Sequence, residues 1–338
     1  MKRVLARFTS SLLLSSAVVA CGGAETPPPE APPVPSAAPP AEAPAAPAAP
    51  QATAPAAAAP KKEPPRVEPA LVVRDAGLAT PESVLYDAED DVYLVSNING
   101  SPGDKDNNGF ITKVSPEGKV LALKWIAGGA KGVTLDAPKG MAISGGTLYV
   151  ADLSVVRMFD KKTGKPKGEV KLAGATFVND VVAGDGGRVY VSDTGVKFTD
   201  KGAEATKTEA VWLIEKGKAK VVAKSDELGR PNGVLGAKDG VWVVTFGSNE
   251  LYRLDEKGQR QDITKLPQGG LDGIVPVGDS VLVSSWDAGA VYRGKPGGTF
   301  EPIVSGVKAP ADIGFDTKRS RVLVPLFTEN AVAVYDVK

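Results

Sequence analysis

From Leu71 to the C-terminus, short apolar runs alternate with short polar turns, and this pattern recurs six times. The runs are rich in β-branched and aromatic residues and are bounded by Gly, Asp, Ser or Asn, which is typical of β-strands. The clearest runs are Val92–Val95, Leu148–Val150, Val189–Val191, Val241–Val244, Val281–Val283 and Val322–Val324. No stretch repeats its apolar residues every 3.6 positions, so the pattern predicts very little helix.

The spacing of these runs indicates a propeller. Their central residues, Tyr93, Tyr149, Tyr190, Trp242, Leu282 and Leu323, are 56, 41, 52, 40 and 41 residues apart. A period near 40 with enough chain for four strands is typical of propeller blades. The two longer intervals contain insertions at 99–109 and 195–208. A β-sandwich is the rival architecture, but a sandwich does not require six copies in phase.

We therefore predict an all-β, six-bladed β-propeller over residues 71–338. An open ring would leave unpaired strand edges. We expect Leu71–Val73 to complete the last blade and so to close the ring.

One position in each blade carries polar chemistry. About ten residues before each aligned run, a turn leads into the innermost strand, and a polar residue follows in most blades. Glu82, Asn179, Asn232 and Asp272 share this position, so the symmetry of the ring predicts that they converge on the central channel. Oxygen-only sets suit hard divalent cations, calcium above all. The alternative is that each residue only caps a turn.

Two further features concern ligands. Lys139 holds the same position in the second blade, where it either binds an anionic group of a substrate or neutralises the ring. Asp104, Asp106 and Asn108 in the first insertion match the start of an EF-hand-type calcium loop, with Gly109 after them. Ser115 stands where that loop needs its bidentate Glu, so a polar hairpin tip is the competing interpretation. Asp152 and Asp193 follow their strands and are interpreted as turn acceptors.

Composition removes several classes of function. The chain of 338 residues has 40 basic and 40 acidic residues, no histidine and one cysteine. Balanced charge argues against a nucleic-acid partner. Absence of histidine excludes Ser-His-Asp catalysis and His-ligated zinc within this chain. We expect a monomer that binds a small molecule.

The N-terminal region predicts export and a membrane anchor. Residues 1–20 combine Lys2, Arg3 and Arg7 with a short apolar run, as in a secretory signal peptide. The run ends Val18-Val19-Ala20-Cys21, which resembles the lipobox of bacterial lipoproteins; secretion with an incidental Cys21 is the alternative. Gly22, rather than Asp, follows Cys21, which in Gram-negative lipoproteins points to the outer membrane. We expect a lipid-anchored protein of the cell envelope that faces the periplasm or the surface.

Residues 21–70 form the predicted linker. Within 22–69, sixteen residues are Pro and sixteen are Ala, a composition with too little apolar bulk for a core. Polyproline geometry at about 3.1 Å per residue gives a reach of roughly 150 Å. We interpret the segment as a disordered tether between Cys21 and the propeller.

The blade motifs give a family resemblance over residues 78–338. Glu82, Asn179-Asp180, Pro231-Asn232-Gly233 and Asp272-Gly273 resemble the metal-binding positions of the senescence-marker-protein/gluconolactonase (regucalcin) family of six-bladed propellers. Diisopropylfluorophosphatase and the paraoxonases are more distantly similar. The resemblance implies one divalent cation, often calcium, held by Glu82, Asn179, Asn232 and Asp272. It also implies hydrolysis of a lactone or ester.

The catalytic expectation follows from that resemblance. Asp272 is the first candidate for the general base, with Asp180 and Asp312 as second choices. The sequence departs from the family where Phe177 replaces an Arg common in gluconolactonases, and where Ser83-Val84 replaces Gly-Pro. A non-catalytic lipoprotein propeller that binds a protein or small ligand remains the alternative. An open, metal-occupied pocket lined by the four residues favours the hydrolase, and a channel plugged by side chains favours the binding module.

Overall fold

The computed structural model describes residues 67–338, and its strands form six four-stranded antiparallel sheets around a channel. Blade 1 contains β2 (Pro81–Asp87), β3 (Val92–Asn97), β4 (Phe110–Val114) and β5 (Val120–Ala127). Blade 2 contains β6 (Pro138–Ser144), β7 (Thr147–Asp152), β8 (Val155–Asp160) and β9 (Pro166–Lys171). Blade 3 contains β10 (Val178–Ala183), β11 (Val189–Asp193), β14 (Ala210–Glu215) and β15 (Lys218–Lys224).

The remaining blades follow the same plan. Blade 4 contains β16 (Pro231–Ala237), β17 (Gly240–Thr245), β18 (Glu250–Leu254) and β19 (Arg260–Lys265). Blade 5 contains β20 (Leu271–Val277), β21 (Ser280–Ser285), β22 (Ala290–Gly294) and β23 (Phe300–Ser305). Blade 6 contains β24 (Gly314–Asp316), β25 (Arg321–Leu326), β26 (Ala331–Asp336) and β1 (Leu71–Val73). A single 3-10 turn at Asp185–Gly187 is the helical content of the described residues, so the prediction of an all-β propeller is confirmed.

The ring closes through the first strand, as the sequence predicts. β1 pairs antiparallel with β26, with Leu71 opposite Val334 and Val73 opposite Val332. Each innermost strand contacts that of the next blade, and β24 contacts β2. The outermost strand of blade 6 therefore comes from the opposite end of the domain, which leaves the ring without an open seam.

The core consists of six apolar clusters, one at each interface between neighbouring blades. Val150 of blade 2 packs with Leu94 of blade 1, for example, and Val243 of blade 4 packs with Val211 of blade 3. Successive residues of a strand point to opposite faces, and each face meets a neighbouring blade. This explains why the second strand of every blade is a continuous apolar run rather than an alternating one.

The two insertions contact each other. Residues 195–208 form the hairpin of β12 (Val196–Thr199) and β13 (Gly202–Ala205). A Cβ placed on Gly103, in the first insertion, would lie 3.0 Å from Cβ of Phe198 in this hairpin. Segments from blades 1 and 3 therefore approach each other above the same end of the channel.

Candidate metal centre and channel

A β-bulge at the start of five of the six innermost strands aims the polar residues into the channel. In β2, β6, β10, β16 and β20, the pairing register shifts directly after the first residue of the strand. A bulge leaves residues unpaired and turns their side chains away from the regular pleat. The residues at these bulges are Glu82, Lys139, Asn179, Asn232 and Asp272. The bulges and the ring together bring side chains from five blades to one place.

Buried side chains hold the loops that precede three of these strands. Asp152 accepts hydrogen bonds from the backbone N–H groups of Asp136 and Ala137, at 3.2 and 2.8 Å. Asp193 accepts in the same way from Thr176 and Phe177. Both are turn acceptors, as predicted. Asn97 ends β3 at the equivalent position and accepts from Ala79 N–H at 2.9 Å, a role that the sequence analysis missed.

The structure brings the four predicted metal ligands together. With Lys139, they line one cavity of about 420 Å³ at the end of the channel where the innermost strands begin. The exposed fraction is 6% for Glu82 and Asn179 and 3% for Asn232 and Asp272. The channel is open at this end, and these polar groups form its floor.

Each of the four residues has one buried oxygen without a hydrogen-bond partner. Within residues 67–338, seven buried side-chain nitrogen or oxygen atoms lack a partner. Four of them are Glu82 Oε2, Asn179 Oδ1, Asn232 Oδ1 and Asp272 Oδ1. An unpaired buried polar atom costs about 1–3 kcal/mol, so four at one site call for a common partner. All four are acceptors, and a hard cation satisfies such a set.

Neighbouring side chains hold two of these ligands in orientation. The Asn179 amide donates through Nδ2 to Thr194 Oγ1 at 2.9 Å, and the Thr194 hydroxyl donates to Pro231 O at 2.7 Å. Trp286 Nε1 donates to Asp272 Oδ2 at 2.7 Å. One polar atom of each ligand is therefore fixed while the other oxygen faces the cavity. Support of this kind orients metal ligands.

The electrostatics of the floor favour the binding of a cation. Burial, followed by the Asp272 carboxylate, raises the pKa of Glu82 well above its usual value. Burial and then the Asp312 carboxylate likewise raise the pKa of Asp272. A divalent ion would stabilise both carboxylates in their charged forms. Among residues 67–338, no group of three or more carboxylate, thiol or imidazole side chains is placed to hold a metal. The set of four on the floor contains only two carboxylates, and its other two members are amides.

Lys139 lies beside the carboxylates and is almost completely buried. Its Nζ donates to Ala137 O at 3.0 Å and lies 4.3 Å from the centre of the Phe177 ring. Burial lowers the pKa of Lys139, and the Glu82 carboxylate opposes that shift. The two roles predicted for Lys139, binding an anionic group or neutralising the ring, stay predictions.

A second layer lies deeper in the channel. The Asp180 carboxylate accepts N–H bonds from Val181 and Val234, at 2.6 and 2.8 Å. Asp312 accepts a bond from the Ser83 hydroxyl, and burial raises the pKa of Asp312 to about 7. Both carboxylates line a cavity of about 200 Å³ at the other end of the channel. Asp180 and Asp312, the second-choice candidates for the general base, therefore lie outside the cavity that Asp272 lines.

Glycines make room for this layer. A Cβ on Gly140 would lie 2.0 Å from Asp180 Oδ1, and one on Gly273 would lie 2.6 Å from Asp312 Oδ1. Real Cβ atoms do not approach other atoms so closely. The glycine that follows the channel-facing residue in blades 2 and 5 is thus required by the neighbouring carboxylate. This explains the pairs Lys139-Gly140 and Asp272-Gly273.

The wall of the cavity that contains the four predicted ligands is aromatic. It is formed by Phe177, Phe198, Phe246, Trp286 and Phe327, with Ile98, Pro102, Val196 and Ala203. The Trp286 ring lies 5.2 Å from that of Phe327 and 5.8 Å from that of Phe246, measured between ring centres. This wall was not predicted from the sequence, although Phe246, Trp286 and Phe327 share one blade position, directly after the second strand. Pro102 and Phe198 show that both insertions contribute to it.

Arg230 is a second missed residue of this cavity. Its backbone is pinned, since its N–H donates to Glu209 Oε2 at 2.9 Å. No hydrogen bond or ion pair of its guanidinium is found within the described part of the chain. Burial raises the pKa of Glu209, and the backbone N–H and the positive charge of Arg230 oppose that shift. Arg230 stands two residues before Asn232, where Phe177 stands before Asn179. Comparison of the blades at that offset would have found it.

The proposed second calcium loop forms a local turn. Asn108 donates to Asp106 through its backbone N–H, at 3.3 Å, and through its side-chain amide, at 2.5 Å. Asp104 is exposed. The carboxylate of Asp106 thus already has partners from within the loop, as a polar hairpin tip requires. Calcium at Asp104, Asp106 and Asn108 stays a prediction.

The N-terminal predictions lie outside the described residues. They are the signal peptide at 1–20, the lipidated Cys21 and nearly all of the linker. Over residues 67–338, the structure contains no helix with the length and apolarity that a bilayer crossing requires.

Comparisons with known proteins identify relatives by fold alone. No protein-family model and no curated protein matches the sequence. A gluconolactonase from Xanthomonas campestris superimposes with a TM-score of 0.59 at 15% identity, over 78% of this chain and 88% of the other. A second structure, from structural genomics and described as a gluconolactonase candidate, gives 0.58 at 17% identity, over 78% and 91%.

A further match extends the range of chemistry found on this fold. The virginiamycin B lyase of Staphylococcus aureus, in a catalytically inactive form with quinupristin, gives a TM-score of 0.54 at 14% identity. It covers 79% of this chain and 98% of the other. Identities this low establish a shared six-bladed propeller. The resemblance to gluconolactonase-like propellers therefore holds at the level of the fold, and any activity must be argued from the site.

Proposed function

We propose that the protein is a divalent-metal-dependent hydrolase of esters or lactones. The observation that carries the proposal is the set of four unpartnered, buried oxygens on the floor of an open apolar cavity. Four blades supply them, so chance clustering of turn residues does not account for their common orientation. The residues that would hold the ion are Glu82, Asn179, Asn232 and Asp272.

Calcium is the ion that this donor set favours. The ligands are carboxylate and amide oxygens, and histidine is absent from the chain. Such sets suit hard cations, whereas zinc and copper favour nitrogen or sulfur ligands. When bound, the ion would polarise the carbonyl of an ester or lactone as a Lewis acid.

The chain's own residues supply the rest of the chemistry. Asp272 Oδ1 faces the cavity and can accept a proton from the attacking water, while Trp286 holds Oδ2. The water oxygen forms a bond to the carbonyl carbon and the carbon–alkoxide bond breaks. The proton then passes from Asp272 to the departing oxygen. The aromatic wall limits competing water and so strengthens the electrostatic interactions on the floor.

The alternative is a propeller that binds a ligand without transforming it. An open cavity lined by the four residues is the feature expected for the hydrolase, and a channel plugged on that side would have favoured simple binding. The cavity of about 420 Å³ supports the catalytic proposal. It is also within the usual size range of small-molecule sites.

Hydrolysis in the presence and absence of calcium tests the proposal. We expect the purified protein to hydrolyse members of a panel of aryl esters and lactones, to lose this activity with a chelator, and to recover it when calcium is restored. The control is the same panel with chelator-treated protein supplied with sodium. Activity that survives complete removal of divalent ions contradicts the proposal, and binding without turnover supports the alternative.

We further propose that the propeller is monomeric and held at the cell envelope by lipid on Cys21. The sequence Val18-Val19-Ala20-Cys21 supports the anchor, and the Pro- and Ala-rich linker supports a tether. Radiolabelled palmitate should label the full chain expressed in a Gram-negative host, but not the Cys21→Ser variant. Equal labelling of the two proteins would contradict the anchor.

A further inference from the structure

The chemistry of the cavity wall restricts the substrate class, provided that the proposed function holds. Five aromatic side chains stand above the polar floor, and their rings contact one another in pairs. A flat apolar group that packs against such a wall buries its apolar surface and makes ring contacts. The lower part of the cavity therefore offers metal-facing oxygens, and the upper part offers surfaces that accept a ring.

A polyhydroxylated lactone fits this wall poorly. Apart from Arg230 and the four oxygens that would hold the ion, the lining offers few free polar groups: the Thr194 hydroxyl donates to Pro231 O, and the Trp286 N–H donates to Asp272. Sugar hydroxyls placed against the aromatic rings would lose their hydrogen bonds to water without replacement. This argues against a sugar lactone.

The same cavity contains an arginine whose guanidinium has no hydrogen-bond partner. Arg230 is one of the lining residues, and the described residues provide its guanidinium with no hydrogen bond or ion pair, although its charge acts on the Glu209 carboxylate. The aliphatic part of the Arg230 side chain packs over Gly247, where a Cβ would lie 3.0 Å from Arg230 Cδ. The backbone N–H of Arg230 is fixed by Glu209 at 2.9 Å. An arginine whose backbone is fixed and whose planar guanidinium has no hydrogen-bond partner is suited to bind a carboxylate or phosphate.

The charges of the lining agree with an anionic ligand. Two carboxylates, Glu82 and Asp272, face two cations, Lys139 and Arg230, so the lining is formally neutral. A divalent cation would make it positive by two charges. Lys139 is already occupied by Ala137 O and by the Phe177 ring. Arg230 is therefore the cation that is free to meet a substrate.

We propose that the cavity takes an ester or lactone whose flat, apolar body carries an anionic group, and that Arg230 selects that group. The reacting carbonyl lies toward the floor, the ring lies between the aromatic side chains, and the anion meets the guanidinium. Arg230 thus determines specificity without taking part in the bond changes.

A matched pair of substrates tests this inference. Phenyl acetate and 4-acetoxybenzoate have the same ester and differ by one carboxylate. After correction for their uncatalysed rates, we expect kcat/KM of the calcium-loaded protein to be about tenfold higher for 4-acetoxybenzoate, equivalent to about 1.4 kcal/mol. The higher kcat/KM should result from a lower KM for 4-acetoxybenzoate than for phenyl acetate. Glucono-1,5-lactone should be the poorest of the three substrates.

Two variants separate Arg230 from general charge effects. Arg230→Gln should lower kcat/KM for 4-acetoxybenzoate about tenfold relative to that for phenyl acetate, and so abolish the preference. Arg253→Gln is the control, because Arg253 lies on β18 and pairs with Asp262 at 3.1 Å, outside the cavity lining. This variant should keep the preference. Equal preference in wild type and Arg230→Gln, or a preference for glucono-1,5-lactone, overturns the inference even if chelator-sensitive hydrolysis is present.

A binding measurement distinguishes this inference from the proposed function. 4-Hydroxybenzoate, the product of 4-acetoxybenzoate, should bind the calcium-loaded protein in a titration calorimeter, and more tightly than gluconate. Arg230→Gln should weaken its binding about tenfold. If this result is obtained with a protein that hydrolyses nothing, the ligand class stands and the hydrolase proposal fails. If 4-hydroxybenzoate binds no better than gluconate, the inference fails.

Discussion

Asp272→Asn is expected to abolish metal-dependent turnover while the propeller stays folded. Trp286 Nε1 donates to Asp272 Oδ2 at 2.7 Å, so an asparagine would turn its carbonyl oxygen toward Trp286. Its NH2 group would then occupy the place of Oδ1, and an NH2 group neither binds a cation nor accepts a proton. Since loss of an outer-shell partner alone costs metal affinity about 10–100-fold, we expect loss of this ligand to weaken calcium binding at least about 100-fold.

The effect on catalysis should be larger than the effect on stability. We expect kcat/KM to fall at least about 1000-fold, because one substitution removes both a ligand and the proton acceptor. Asp279→Asn is the matched control, as Asp279 lies in the exposed turn of the same blade, 3.6 Å from Lys295. Calorimetry with calcium and initial rates under saturating calcium measure the two effects. Normal calcium affinity and turnover in Asp272→Asn would remove the basis of the account.

The metal-free protein is expected to lose stability as the pH rises from about 5 to about 8. Burial is the first cause of a raised pKa in Glu82, Asp180, Asp272 and Asp312, and Asp312 reaches about 7. The folded state therefore keeps protons that the unfolded chain releases near pH 4. Stability falls with pH wherever the folded state binds more protons, by about 1.4 kcal/mol per pH unit for each such group. The contribution is complete below pH 4 and is lost as the pH passes the raised values.

Calcium should reverse this loss. An ion that binds only the folded state adds about 2.7 kcal/mol at a concentration of 100 times its Kd. For a domain of this size, this raises Tm by roughly 5–10 °C. Thermal unfolding at several pH values, with calcium and with chelator, gives both results. Asp312→Asn should flatten the slope of the metal-free protein, and a Tm that calcium leaves unchanged at pH 8 would argue against the site.

The sequence was sufficient to predict the architecture and the convergence of Glu82, Asn179, Asn232 and Asp272, because both depend on repetition. Six in-phase strands predict blades, and a propeller places equivalent positions around one axis. Asn179 and Asn232 are 53 residues apart, yet only the phase within the blade was needed to bring them to one floor. The bulges were not foreseen, although they explain why the second residue of each innermost strand, rather than the first, points into the channel.

The same reasoning could have found three residues of the aromatic wall. Phe246, Trp286 and Phe327 each follow the second strand of their blade directly and are 40 and 41 residues apart, which is the spacing of the blades. The ion pair of Lys161 could not be predicted in this way. Lys161 is buried and binds Asp87 at 2.9 Å across the interface between blades 1 and 2. In the sequence it is one of two adjacent lysines in a polar turn and resembles a solvated charge. Such contacts depend on how blades pack, which the repeat does not encode.

Asp180 shows the limit of residue-type arguments. The Asn179-Asp180 pair suggested that both residues belong to one site. Successive side chains after the bulge point in opposite directions, so Asn179 faces the cavity that contains the four predicted ligands and Asp180 lines the opposite one. The Asp180 carboxylate accepts two backbone N–H bonds, and the bond from Val234 links blade 3 to blade 4. Its predicted role as a base remains to be tested by turnover of Asp180→Asn.

Anomalous diffraction from crystals grown with saturating calcium, or with terbium in its place, tests the central claim most directly. The account predicts one strong peak on the channel floor, about 2.3–2.6 Å from Glu82 Oε2, Asn179 Oδ1, Asn232 Oδ1 and Asp272 Oδ1. The same peak should be absent from crystals of Asp272→Asn. A floor that contains only water under these conditions, or an ion bound elsewhere on the propeller, would contradict the account.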